Sequence, residues 1–322
     1  MKFISTCLVA ATAIAAVWPA AAQTYPERPI RIVVPFPAGG GTDSLTRLIA
    51  NAANTKYGWT IVVENKPGAG GNLALETVAK SKPDGYTLVM AQTDNVVLNP
   101  LLYKKLSYDA VNGFEPLGMI AKGAAVLTVK ADSPYKTLGD VVAAAKGKPG
   151  GVTFATPGTG TVAHMILQLW EGASGVQFTH VPYRGVAQAL PDLIGGQVEL
   201  YMGSVPTMQG HIDGGKVRGL GVTSGQRSGV LKNVPTFTEA GIKGVELASV
   251  WGLMAPAGTP APVVEKWNSV INELIAQPDV RQKILDTGGE IVGGSAKQMK
   301  EAYTADRARL APLIQKSNIT LD

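Results

Sequence analysis

Two short stretches rich in glycine and threonine carry the residue types best suited to holding an anion. The first is Pro37-Ala38-Gly39-Gly40-Gly41-Thr42-Asp43, and the second is Pro157-Gly158-Thr159-Gly160-Thr161. Each follows a short apolar run and precedes a stretch with helical spacing, so each is expected to join a strand end to a helix start. A helix start exposes unpaired N–H groups and about half a positive charge. Glycine lets an anion approach those donors closely, and threonine hydroxyls add further donors. One such turn alone shapes an α/β fold as readily as it binds anything. A matched pair, one in each half of the chain, favours a device that grips an anion from two sides.

Other chemistries find less support. The dinucleotide spacing G-x-G-x-x-G fails because Ser44 stands where the third glycine belongs, and no G-x-x-x-x-G-K-[ST] occurs. The histidines are His164, His180 and His211, none paired at metal-site spacing, and Cys7 is the one cysteine. No metal and no cofactor is therefore expected. There is no G-x-S-x-G elbow, so no catalytic residue is nominated. His164 falls in the first turn after the second loop and is a candidate donor to a ligand anion. Arg184, after Pro182-Tyr183, could pair with a carboxylate, against the plainer reading of a surface arginine. Asp43 and Asp94 read as caps or turn formers. Trp251 reads as core near a hinge, or as a flank of the ligand.

The elements that must position these residues alternate in type. Residues 30–34 form a buried-strand run, 44–57 repeat apolar residues at helical spacing up to Gly58, and 60–64, 72–80 and 86–90 continue as strand, helix and strand. Such alternation predicts a parallel sheet covered by helices. A second series follows: a helix from the Thr137/Asp140 capping box through Ala145, then strand 151–155, helix 162–174, strand 176–181, helix 186–194, and strands 198–202 and 217–223. Two long extended segments, 114–130 and 245–255, join the series. Two lobes crossed twice by the chain can close on a ligand about a hinge. The last part, 262–276 and 296–316, reads as helices.

Composition sets the setting. The chain has 322 residues, 29 basic and 24 acidic, for a net charge of +5, and the basic residues are scattered. Without a basic stripe interleaved with aromatics, nucleic acid is not an expected partner. Residues 1–22 read as a secretory signal peptide: Lys2, the apolar stretch 3–17, then Ala20-Ala21-Ala22 before Gln23. The mature chain is then exported, not membrane-embedded, and without disulfides.

Several motifs together resemble one family. They are Tyr25-Pro26, the stretch 29–43, Val63-Glu64-Asn65-Lys66-Pro67-Gly68-Ala69-Gly70-Gly71-Asn72, Pro83-Asp84-Gly85-Tyr86-Thr87-Leu88, His180-Val181-Pro182-Tyr183-Arg184-Gly185, Gly195-Gly196-Gln197-Val198 and 252–260. They look like the Bug-type periplasmic solute-binding proteins that serve tripartite tricarboxylate transporters. The resemblance covers essentially the whole mature chain. It implies a two-lobed type II periplasmic-binding-protein fold, two α/β domains joined by two crossover segments, with residues 23–124 plus 251–322 in one domain and 125–250 in the other. It also implies a monomeric periplasmic receptor, not an enzyme, that hands a small carboxylate to a membrane permease. The family's carboxylate grip transfers to Ala38, Gly40, Gly41 and Thr42 on one side and Thr159, Gly160 and Thr161 on the other. Thr93 corresponds to a further lining position. The alternatives are a ligand-presenting partner of a membrane sensor kinase and a secreted α/β hydrolase.

One departure bears on the ligand. Where the family often has Phe-Asp-Asn, this chain has Met202-Gly203-Ser204. Without that aspartate a buried ammonium would lack its partner, which argues against an amino-acid ligand. Gly203 is expected to vacate volume for a flat ring, so the expected ligand is a dicarboxylate without an amine, with terephthalate as the specific candidate. A citrate-like aliphatic acid is the other option.

Overall fold

The computed structural model describes residues 25–317, 320 and 321. The expected signal segment and Cys7 lie outside them. Apolar runs and amphipathic stretches alternate as their spacing predicts: β1 (Ile30–Val34), α1 (Gly41–Tyr57), β2 (Ile61–Asn65), α2 (Asn72–Ala79) and β3 (Thr87–Gln92). β1 pairs in parallel with β2 and with β3. After β3 the chain makes a π-helical turn, Asp94–Leu98, then the short α3 (Asn99–Leu102).

The apolar segment without helical period is one long strand, β4 (Phe114–Lys130). The second series follows as α4 (Leu138–Gly147), β5 (Thr153–Thr156), α5 (Val162–Ser174), β6 (Thr179–Pro182), α6 (Val186–Gly195), β7 (Leu200–Ser204), α7 (Val205–Asp213) and β8 (Val217–Val222). The chain returns along β9 (Ala248–Pro256) and closes with α8 (Ala261–Ala276), α9 (Pro278–Asp286), β10 (Glu290–Ile291) and α10 (Ala296–Ser317). The capping box at α4 is present, with the Thr137 side chain accepting from Asp140 N.

The strands run in the order β2-β1-β3-β9-β4-β7-β5-β6, with β8 and β10 also on β4. β4 is the joint between two lobes. Its first part, up to Ala124, pairs antiparallel with β9, whereas Ala125 onward pairs with β7 and β8. The first lobe thus holds β1–β3, β9 and one end of β4; the second holds β5–β8 and the other end. The two expected crossings are β4 and the run of chain into β9.

Strands buried on both faces need helices on both sides. In the first lobe Ile30, Ile32, Leu88 and Leu253 pack with Trp267 and Ile271 of α8. A second cluster runs from Val89 and Leu75 through to Phe154, Trp170 and Leu200 of the second lobe. Met299, Tyr303, Leu310 and Ile314 place α10 in that shared core, and the Arg307 guanidinium donates to Val96 O at 2.8 Å. Helix α10 therefore packs against both lobes through that shared core.

Candidate functional site

Between the two lobes lies a cavity of about 100 Å³. At roughly 10–15 Å³ per water, that is room for several waters or one small molecule. Its wall is built largely from helix starts. Gly40, Gly41 and Thr42 bring the start of α1; Thr161, Val162 and Ala163 that of α5; Gly185, Val186 and Ala187 that of α6; Ser204 and Thr207 that of α7. Four helix starts thus converge on one space, each bringing the positive end of its helix dipole, about half a charge. No lysine, arginine or histidine is among the lining residues, and Asp94 is the one charged side chain. The wall can hold an anion by amides and hydroxyls alone, with no cation to set a salt bridge.

The first Gly/Thr loop enters the cavity along most of its length. Gly40 is the N-cap of α1 and, having no side chain, makes no capping bond to the first-turn amides. The loop is held from outside: Gly39 N donates to Asp43 Oδ2 at 3.0 Å, Asn65 Nδ2 to Asp43 Oδ1 at 2.9 Å, and Arg47 lies against the same carboxylate. Burial alone would raise the Asp43 pKa, but these hydrogen bonds and the Arg47 charge outweigh it and hold the carboxyl below its ordinary value. Across the cleft, Gly41 N donates to Thr207 Oγ1 at 3.1 Å, and Ser204 Oγ meets Thr207 Oγ1 at 2.7 Å. A Cβ on Gly41 would stand 3.0 Å from that threonine oxygen and 3.2 Å from the serine oxygen.

A chain of polar contacts connects this loop to the second one. Thr42 Oγ1 donates to Gln92 Oε1 at 2.5 Å, and Trp251 Nε1 lies 3.0 Å from both oxygens. Gln92 Nε2 donates to Asp94 Oδ2 at 2.5 Å, and Asp94 Oδ1 accepts from Val162 N at 2.6 Å. An aspartate of the first lobe thus caps α5 of the second. Complete burial pushes the Asp94 carboxyl above its ordinary pKa, against the bonds from Val162 and Gln92. The expected role of Asp94 as a cap is met, but on a helix of the opposite lobe.

The second loop turns mostly away from the cavity. Pro157 and Thr161 line it, whereas Thr159 and Gly160 do not. Gly160 N donates to His164 Nδ1 at 3.2 Å, and the His164 ring stacks on His180 at 4.2 Å. His180 Nε2 in turn meets Thr156 Oγ1 at 2.7 Å. Burial, helped by the neighbouring His180, lowers the His164 pKa to about 3, and burial lowers that of His180 to about 4. Both rings are neutral near pH 7. His164, expected to donate to a ligand, instead accepts from the loop and shapes it.

The remaining expectations divide in the same way. Ala38, Gly40, Gly41, Thr42, Thr161, Gly203 and Ser204 line the cavity. Thr93 is fully buried, and its hydroxyl accepts from Val250 N at 2.9 Å, so it ties β9 while Gln92 and Asp94 on either side reach the cavity. Arg184 is exposed and outside the lining. Met202 is fully buried in the shared core. The volume expected above Gly203 is taken: a Cβ there would come within 2.7 Å of Tyr201 Cε1 and 2.9 Å of Met208 Cγ. No vacant slot for a ring exists at that position, because neighbours from β7 and α7 fill it. Thr207 escaped the sequence reading along with α7 itself. The signal was there, since Ser204 stands at the N-cap and Pro206 in the first turn.

Comparison with known proteins agrees with this architecture. Residues 45–319 match the model of the tripartite tricarboxylate transporter family receptor. The chain is 31% identical over 320 residues to Protein BugT of Bordetella pertussis, covering 99% of this chain and 96% of the relative. Among solved structures it is similar to R. palustris Rpa4515 with adipate, at 33% identity and a TM-score of 0.89, over 92% of this chain and 99% of the other. It is also similar to MatC (Rpa3494) from Rhodopseudomonas palustris with bound malate, at 29% identity and a TM-score of 0.85, over 90% and 100% of the two chains.

Proposed function

The chain belongs to the tripartite tricarboxylate transporter receptor family, and on that premise we propose that it captures a small dicarboxylate without an amine in the cavity between its lobes. The single observation that carries this reading is the convergence of four helix starts on a space with no basic side chain. Oriented amides are strong partners for a carboxylate in a site shielded from water. The adipate and malate of the two similar structures belong to the same ligand class. The departure at Met202-Gly203-Ser204 leaves no carboxylate at the position where the family often pairs an ammonium, which favours an amine-free ligand. With the space above Gly203 filled, a slim aliphatic chain fits better than a ring, and terephthalate becomes the aromatic test of the site's width.

The same reading places the protein in the periplasm after removal of residues 1–22, as a monomer that returns its ligand unchanged to a membrane permease. Its hinged units are 23–124 with 251–322, and 125–250. The central experiment is titration calorimetry of the mature protein against succinate, adipate, malate, citrate, terephthalate, glutamate and aspartate. Micromolar or tighter binding of at least one amine-free dicarboxylate, recovered chemically intact, is expected. Binding of glutamate or aspartate alone would overturn the ligand class, and conversion of the bound acid would overturn the receptor.

A further inference from the structure

Asp94 is an odd group to find in a cavity suited to an anion. It is 3% exposed, its carboxyl is the one charged side chain on the wall, and it occupies the first amide of α5 that a ligand carboxylate would otherwise take. It enters from the first lobe and bonds the second. The groups packed around it do not offset its charge. On β3 its partner is the neutral Gln92. On α5 the titratable side chain of the first turn, His164, is turned to Gly160 N and His180. On α10, Arg307 is committed to Val96 O and Tyr303 to Val250 O. On α1, Asp43 is committed to Gly39, Asn65 and Arg47. Tyr108 reaches Asn95 O, and Tyr201 of β7 is a neutral phenol on the wall.

A dicarboxylate entering this space brings a second anion beside a buried one. Two carboxylates in one low-dielectric site do not both stay ionised; one holds a proton, which then bridges them. We propose that Asp94 makes this receptor take its dicarboxylate together with one proton from solvent, shared between the Asp94 carboxyl and the nearer carboxyl of the ligand. The inference rests on the proposed ligand class and adds what the site demands of it: the end facing Asp94 must present a hydrogen-bond donor, as a protonated carboxyl or a hydroxyl. Asp94 is then the residue that selects the protonation state of the cargo, while the amides of α1, α6 and α7 hold its ionised end.

Calorimetry with succinate and adipate in buffers of different ionisation enthalpy tests this directly. Wild type should take up close to one proton per ligand at pH 7–8, and its Kd should rise by up to about tenfold per pH unit over that range. Asp94→Asn keeps the shape and removes the charge; it should bind with a Kd nearly independent of pH and more tightly than wild type at pH 8. Binding by wild type with no proton uptake overturns the inference and leaves the receptor reading standing. The same uptake in Asp94→Asn also overturns it, because the proton then sits elsewhere. Failure of every dicarboxylate to bind wild type overturns both readings. Should the variant not fold, the wild-type proton count decides alone.

Discussion

The two Gly/Thr loops are alike in composition and in placement between a strand and a helix, yet they meet the cavity differently. The first presents Ala38, Gly40, Gly41 and Thr42 to it, and its helix start takes no side-chain cap from its N-cap residue; Gly41 N meets Thr207 Oγ1 from across the cleft. The second is capped twice over, by Thr161 within its own lobe and by Asp94 from the other. The first loop is held in shape from the far side by Asp43, Asn65 and Arg47, which leaves its near side open. The second is held by the His164–His180 stack through Gly160. Similar sequence thus supports an open anion cup in one lobe and a closed, internally satisfied turn in the other. An amide binds a ligand only if the protein has not already answered it, and that is decided by residues far away in the chain.

The largest expected effect breaks the open side of this comparison. Gly41 touches Thr207 and Ser204 across the cleft, and its N–H is one of the bonds between the lobes. Gly41→Val sets a branched side chain into that contact and obstructs closure. Overpacking typically costs about 1–3 kcal/mol and a lost hydrogen bond about 1 kcal/mol, so affinity for a bound dicarboxylate should fall about 30- to 1,000-fold. Its melting temperature without ligand should stay close to that of wild type, because the strain arises only on closing. A variant that binds normally would show that the lobes do not meet at Gly41 in the liganded state.

What could be read from the chain alone follows the range of the interactions. Strands and helices were legible because apolar periodicity is local: helix α5 falls where the pattern at 162–174 places it, and β4 spans the whole extended segment. The role of Asp94 was not legible, since it depends on meeting Val162, 68 positions away. The volume above Gly203 was misread for the same reason; a missing side chain leaves space only if Tyr201 and Met208 do not fill it. Helix α7 was passed over because its nine residues carry few apolar repeats, although its serine cap and proline mark the start.

The next effect separates the loops by pH. His164 and His180 titrate at about 3 and about 4 in the folded chain, against 6.5 for a free histidine. Between those values the unfolded chain binds more protons than the folded one, so stability falls as pH drops below 6.5 toward 4. For His180 the gap corresponds to a loss on the order of 3 kcal/mol. Asp94, with its raised pKa, contributes in the opposite sense and gains stability as pH falls, so the informative quantity is the difference between wild type and the double variant His164→Gln, His180→Gln. Urea unfolding from pH 7 to pH 4 should show the steeper loss in wild type. Asp43, with its lowered pKa, keeps its stabilisation above the ordinary carboxylate value of 3.8 and loses it only below. Hydrogen exchange should accordingly show the Gly160 amide losing protection on acidification before the Gly39 amide does. Loss at Gly39 first would reverse the assignment of rigid and acid-sensitive loops.

The smallest effect tests whether the second loop is structural. Gly160 has φ +80°, in the left-handed region, where a side chain costs about 1–2 kcal/mol. A Cβ there would also stand 2.8 Å from Leu321 Cδ1 and 3.5 Å from Leu102 Cδ1, neither of them on the cavity wall. Gly160→Ala should therefore lower the unfolding free energy by about 1–2 kcal/mol and leave the Kd of a bound dicarboxylate within about threefold of wild type. The pairing with Gly41→Val is what gives the result meaning, since one glycine then governs affinity and the other stability. If Gly160→Ala instead weakened binding a hundredfold at unchanged stability, the second loop would have to open and release the Asp94–Val162 bond on binding. Both loops would then grip the ligand, and the helix start that Asp94 covers would be vacated for the cargo.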